Sequence, residues 1–593
     1  MESKWKTVVL TAALILFTVS NVCAGPKDGR GWEDGHGRIR HVLLISIDGM
    51  HAVDFANCVA SKTCPHLAEL SETGVNYTRT STSRPSDSFP GLMALVTGGT
   101  PRTVGAFYDV AYDRVLAPPA TATGNGLPAG TCTVGQIKGT QTEYEEGDEI
   151  DQTKVNGGGP YSTLDGGVLS IDPNKLVRDP FNGCNPVYPW NFVRTNTIYG
   201  VIHKAGGYTA WSDKHPVYAV VSGPTGTNNP SNVDDYYAPE VNSNVINLPG
   251  ITTANGVDCS TISGNTSSDW TTDFDSIKCY DQLKVNAIVN EIKGKTHLGD
   301  HKAPVPVIFG MNFQAVSVGQ KLIKPASLTA TDANAGGYED AQGTPRPKML
   351  ADIQFVDAAI GQMVDALEDR DLLRSTVIIV TAKHGQSPID PNRFFPVPGK
   401  SGTNGNPPSF FLSALLPAVY NDPTNGLGLA EDDISQIWLA DSSRTADAVN
   451  ILETNGTAPP GVGLGQILFG ASLDTIFNPP GVPDVPGPCC KLREGGDPRT
   501  PDIFVLPNVG VVYTGNDKKQ SEHGGFAWDD TNVMLLVSNP HFERKTIHAF
   551  VETTQVAPTI LQFLGLDPGD LDAVRKEGTP VLPGLDFGDD NDH

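Results

Sequence analysis

Positive charge is scarce in this chain: 42 Lys and Arg stand against 67 Asp and Glu in 593 residues, a formal net charge of −25. So acidic a surface excludes a nucleic-acid polymer as the natural partner and excludes docking on anionic lipid. Beyond the N-terminus no run is apolar enough to span a bilayer, so no membrane anchor is expected. Zinc-finger cysteine spacing is also missing, and so is any internal repeat. What is abundant is Gly (63) and Pro (46), which points to long ordered loops rather than a helical bundle.

Lys4 and Lys6 precede the apolar run from Val8 to Val19, and Val22-Cys23-Ala24 offers small residues for cleavage. Residues 1–24 therefore read as a secretory signal, with 25–39 a linker, which predicts a secreted, extracellular or periplasmic protein. Removing the signal leaves eight cysteines, an even number that implies disulfides in an exported chain. Cys58 with Cys64 and Cys259 with Cys279 are the economical near-neighbour pairs. The vicinal Cys489 and Cys490 read as structural disulfide chemistry.

Strand and helix patterns alternate, as an α/β fold requires: a mostly parallel central sheet with helices on both faces. "HVLLISIDG" is a continuous apolar run that delivers Asp48 to the sheet edge. Ile353, Val356, Ile360, Met363 and Leu367 have the spacing of a helix's buried face. That helix feeds a strand from Thr376 to Thr381, which stops abruptly at Ala-Lys-His-Gly. One α/β domain over 40–580 is expected, with insertions at about 112–194 and 395–500 and an acidic tail at 581–593. The insertions are too long for ordinary connections and could wall a cleft.

Ser88 precedes Phe89-Pro90 and an apolar run, so it is placed at or near the N-cap of a helix, close to the positive end of its dipole. Asp48 at a strand tip, a capped Ser forty residues later, and His384 and His523 in His-Gly contexts complete a candidate constellation. Asp213, Lys214 and His215 follow another strand and could line the same cleft. Asn312 and Gln314 sit at a strand end from which they could hydrogen-bond a substrate.

The pieces "LLISIDGM", "SDSFPGLMALVTGG", "AGGYTAWSDKHP", "TVIIVTAKHGQ" and "SEHGGFAWDDTNVMLLVSNP", in this order within about 40–567, resemble the alkaline phosphatase superfamily in its nucleotide pyrophosphatase/phosphodiesterase branch. The resemblance implies a hydrolase of phosphate esters with a Thr or Ser nucleophile between two zinc ions. It places Ser88 as nucleophile and Asp48, His384 and His523 as metal ligands. It also locates departures. Val316 and Gln320 stand where the family has a ligand Asp and His, and Lys383 stands in place of a second Asp. Unit charges 4 Å apart interact by about 4 kcal/mol at an effective dielectric of 20, so an ammonium facing a divalent ion costs roughly 8. A charged Lys383 and a metal beside it are nearly exclusive.

Three readings follow. Lys383 replaces the metal, pairing with Asp48 or taking the proton of Ser88. Alternatively, Asp48, His384 and His523 hold one divalent ion, zinc first. Or the scaffold is a non-catalytic extracellular binding protein. The first two make the chain a hydrolase or transferase of a phosphate or related ester without the two-zinc site, with Gln314, Gln320, Asp213 and His215 as substrate-binding candidates for a small ester.

Overall fold

The computed structural model describes residues 39–587 except 124–126, 145–146, 148, 153, 155–166, 244–250, 263–268, 324–333, 398–404, 419, 421–430, 457–462, 474–475, 478–496 and 514–518. The proposed signal segment, the last six residues of the tail and Cys489–Cys490 lie outside the described residues.

Eight strands make one mixed sheet: β1 (His41–Ile47), β2 (Gly74–Tyr77), β3 (Ala210–Ser212), β4 (Asp235–Tyr237), β5 (Ile308–Phe313), β6 (Thr376–Thr381), β7 (Leu535–Ser538) and β8 (Lys545–Ile547). Their spatial order is β8-β2-β7-β6-β1-β5-β3-β4. Only β7 runs against its two neighbours; the other pairings are parallel. The expected α/β class with a mostly parallel sheet is what forms. β1 lies at its centre because its apolar run can be buried on both faces. Leu43, Ile45 and Ile47 pack into one hydrophobic core, and Val42 and Leu44 into the other.

Helix α1 (Ser88–Thr97) covers the second core, while α2 (Phe274–Ile292), α3 (Ala315–Lys321) and α4 (Pro347–Asp369) cover the first. The buried stripe of α4 contains Ile353, Val356, Ile360, Met363 and Leu367, as the spacing predicts. The two insertion regions pack against one another. Hairpin residues Ala111 and Tyr112 share a core with Ile437, Trp438 and Ile503, part of a three-stranded antiparallel unit. Three Arg–Asp pairs tie these regions together: Arg114–Asp502 at 2.6 Å, Arg194–Asp497 at 2.5 Å and Arg499–Asp113 at 2.9 Å. Each carboxylate is almost wholly buried, so removing one partner would leave an uncompensated charge. Disulfides join Cys58–Cys64 and Cys259–Cys279, as expected, and also Cys132–Cys184. Among the described residues no helix is long and apolar enough to cross a membrane.

Candidate active site

Parallel strands deliver their C-terminal ends to one edge of the sheet, where α/β folds place ligands. Asp48 follows β1, Asn312 and Gln314 lie at the end of β5, Lys383 and His384 follow β6, and Asp213 to His215 follow β3. Gly49 turns the chain beside Asp48 with φ +82°, a conformation that strains any L side chain. Gly91 lets α1 approach closely, since a Cβ there would lie 2.1 Å from the Lys383 carbonyl oxygen.

The helix cap differs from expectation. Asp87 is the N-cap, its carboxylate accepting from Phe89 N at 3.1 Å, and Ser88 is the first helical residue. A carboxylate is the better acceptor at a positive dipole end, and it leaves the Ser88 hydroxyl free for other partners. Those partners are His384 Nε2 at 3.0 Å, Lys214 Nζ at 3.1 Å and, more distantly, Asp48 Oδ2 at 3.5 Å. His384 Nδ1 lies 3.0 Å from its neighbour's carbonyl oxygen, Gly385 O. A carbonyl only accepts, so the neutral ring carries its proton on Nδ1 and presents the Nε2 lone pair to the Ser88 hydroxyl.

Lys383 lies elsewhere. Its ammonium is fully buried, 3.4 Å from Asp48 Oδ2, 3.5 Å from Asp213 Oδ1 and 4.5 Å from the centre of the Tyr218 ring. The ammonium that touches Ser88 is therefore that of Lys214, which also approaches Asp48 Oδ2 to 3.7 Å. Asn312 Nδ2 donates to the same carboxylate oxygen at 3.2 Å, and Gln314 Nε2 also donates to it. Burial alone would push the Asp48 carboxyl up, but Lys383, His384 and Lys214 together hold it well below the usual carboxylate range. Burial lowers His384 despite the opposing pull of Asp48, and lowers His523 further with help from Lys321. Both shifts favour the neutral imidazole.

Two expected substrate contacts are corrected. Gln320 faces away from this pocket: its Nε2 donates to Gly49 O at 2.7 Å and its Oε1 accepts from Gln386 at 2.6 Å, within a buried network around His51, Asp54 and Tyr338. Asp213 is buried behind the site, accepting from Trp211 Nε1 at 3.0 Å and facing Lys383. Its role here is as a counter-ion. Gln314 and His215 do line the pocket, His215 being held by Glu240 at 2.7 Å. Val316 is buried in the hydrophobic core, where it could ligate nothing.

Asp48, His384 and His523 do not form one ligand group in this structure. The ring of His523 lies 4.2 Å from that of His384, but its Nδ1 faces Asp87 at 3.6 Å. Among the described residues, the group with metal-ligand spacing is Asp432, Glu522 and His523, which includes neither Asp48 nor His384. Glu522 is already clamped by Lys321 at 2.7 Å and Lys519 at 2.5 Å. A divalent ion would have to displace ammonium groups at either location, so these residues do not fit the two-metal cage that the family resemblance implies. Lys214 and Asp432 are the contributors sequence reasoning underweighted. Lys214 sits in the quoted "WSDKHP", whereas Asp432 lies in an insertion with no motif to mark it.

The sequence matches the profile of the type I phosphodiesterase/nucleotide pyrophosphatase family over residues 42–127 and 185–401, more than half of the chain. No curated protein matches it. Among solved structures, murine ectonucleotide pyrophosphatase/phosphodiesterase 5 is similar at 14% identity and a TM-score of 0.48, covering 89% of this chain and 96% of that one. The human counterpart gives 12%, 0.48, 89% and 95%. An inactive variant of the murine protein in complex with AMP gives 14%, 0.47, 89% and 96%.

Proposed function

We propose, since the chain belongs to the type I phosphodiesterase/nucleotide pyrophosphatase family and is thereby a phosphate-ester hydrolase, that it works through Ser88 with lysines in place of the usual pair of metal ions. The observation that carries this reading is the Ser88 hydroxyl held between the lone pair of His384 and the ammonium of Lys214. Ser88 Oγ attacks phosphorus and its proton passes to His384 Nε2. The bond to the leaving oxygen breaks, and that oxygen takes the proton back from His384, leaving a phosphoryl-serine ester. Water then attacks the same phosphorus, giving its proton to His384, and Ser88 departs with that proton. Lys214 touches the reacting oxygen, while Lys383 and Asp48 fix the charge around it. Preorganised donors at such positions contribute about 10²- to 10³-fold each to turnover.

Export belongs to the same proposal, supported by the N-terminal apolar segment and three disulfides. So does a single catalytic domain over 40–580, whose insertion residue Asp432 reaches the pocket. One observation favours the alternative of a binding protein on this scaffold. Ser88 has no exposed surface, and Lys214 and His384, which touch it, line the pocket instead. Side chains at the pocket wall must shift before phosphorus can reach Oγ.

The test is release of p-nitrophenol from bis(p-nitrophenyl) phosphate after exhaustive dialysis against a chelator. The proposal expects turnover in the wild type and none in Ser88→Ala. Equal activity in both proteins, or activity that appears only on adding zinc, overturns it.

A further inference from the structure

The pocket in front of Ser88 holds a cavity of about 330 Å³. That is near the lower end of the roughly 300–1,000 Å³ that small-molecule sites span. Among the described residues, no Phe, Tyr, Trp or Arg lines it. Proteins hold unpaired bases largely by stacking them on aromatic rings or guanidinium planes. The rings at this wall are the imidazoles of His215, His384 and His523, of which His215 packs on Tyr218 and the other two on each other, and no guanidinium joins them among the described residues.

Around them it offers hydroxyl, amide and carboxylate groups, the ammonium groups of Lys214, Lys321 and Lys519, and only a few aliphatic side chains. Asn242, Thr271, Thr272 and Ser317 line the cavity beside the carboxylates of Asp269 and Asp432. Asp269 fixes the two threonines: its Oδ1 accepts from Thr271 Oγ1 at 2.6 Å, and its main-chain oxygen accepts from Thr272 Oγ1 at 2.9 Å. A hydroxyl that donates in this way keeps lone pairs with which to accept. The wall thus presents several acceptors at fixed positions, with the amide of Asn242 and the lysine ammonium groups able to donate. A polyol carries a donor and acceptor on each carbon and can satisfy such a wall. A flat heteroaromatic ring would bury part of it unpaired, which is how polar sites reject the wrong ligand.

We propose that the ester taken by this site carries a small hydroxylated alcohol, a sugar or polyol, where a nucleotide ester carries its nucleoside. The inference rests on the Ser88 reading above and specifies its substrate class. The test uses three p-nitrophenyl phosphodiesters with the same leaving group, whose other alcohol is glycerol, glucose at its 6-position or thymidine at its 5′-position. The kcat/KM of the glycerol or glucose diester is expected to exceed that of the thymidine diester at least fivefold. Glycerol 1-phosphate should compete against bis(p-nitrophenyl) phosphate at a concentration at least fivefold lower than thymidine 5′-monophosphate. A thymidine diester within fivefold of both others, or better, overturns the substrate class and leaves the hydrolase standing. Release from bis(p-nitrophenyl) phosphate with none from the glycerol or glucose diester does the same. No Ser88-dependent release from any of these esters overturns the hydrolase reading and this inference together.

Discussion

Replacing each of the two site lysines by Met separates the chemistry from the scaffold. Lys383 lies 3.4 Å from Asp48 Oδ2 and 3.5 Å from Asp213 Oδ1, with no exposure. At an effective dielectric of 20 either contact is worth about 5 kcal/mol of gross attraction. Lys383→Met leaves two buried carboxylates short of a counter-ion, and breaking such a pair costs about 3–5 kcal/mol of stability. Lys214 is 3.7 Å from Asp48 Oδ2, about 4.5 kcal/mol on the same scale. In Lys214→Met, however, Asp48 keeps Lys383, Asn312 and Gln314 as partners, so most of its charge remains compensated. Lys214 is also the lysine that touches Ser88. The expected result is a split. Lys214→Met loses about 10²- to 10³-fold in kcat/KM with a nearly unchanged urea midpoint. Lys383→Met unfolds at clearly lower urea. Phosphodiester turnover and urea titration of the same preparations read both effects. Lys214→Met retaining activity within threefold, with its fold intact, would refute the role given to that ammonium.

Ser88→Ala should abolish turnover and move the melting temperature by no more than a few degrees, because Asp87 provides the helix cap. Burial pushes Asp530 up to about 7, and it faces Asp433, which is raised as well. The folded state therefore holds a proton that the unfolded chain releases near pH 4. Stability from this pair is full below about pH 4 and is lost as pH rises through about 7. Asp530→Asn should flatten that loss in a melting-temperature series from pH 4.5 to 8. Elemental analysis of the wild type should find fewer than two tightly held zinc ions per chain. The Lys383→Asp/Lys214→Met double variant should bind zinc more tightly than either single variant, since each ammonium opposes the ion; equal affinities would count against lysine exclusion. Thiol titration of the denatured, unreduced protein should find essentially no free cysteine, and several reactive thiols per chain would contradict the disulfide assignment.

Residue order alone dictates the sheet and the strand tips at its edge. Apolar runs such as His41–Ile47 and Thr376–Thr381 can be satisfied only as buried strands, and chain order then brings Asp48, Ser88 and His384 to one place. The departures that the family resemblance implies at Val316, Gln320 and Lys383 are likewise read from residue identity. Which atoms touch is set by folding. Lys383 and Lys214 both follow strand ends, yet Lys383 is drawn under Tyr218 between two carboxylates and Lys214 reaches Ser88. Gln320 is turned away by partners 18 to 271 residues distant in the chain. Local periodicity fixes the face on which a side chain begins. Where a long flexible side chain ends is set by charges and hydrogen-bond partners from other elements, which are brought near only by folding.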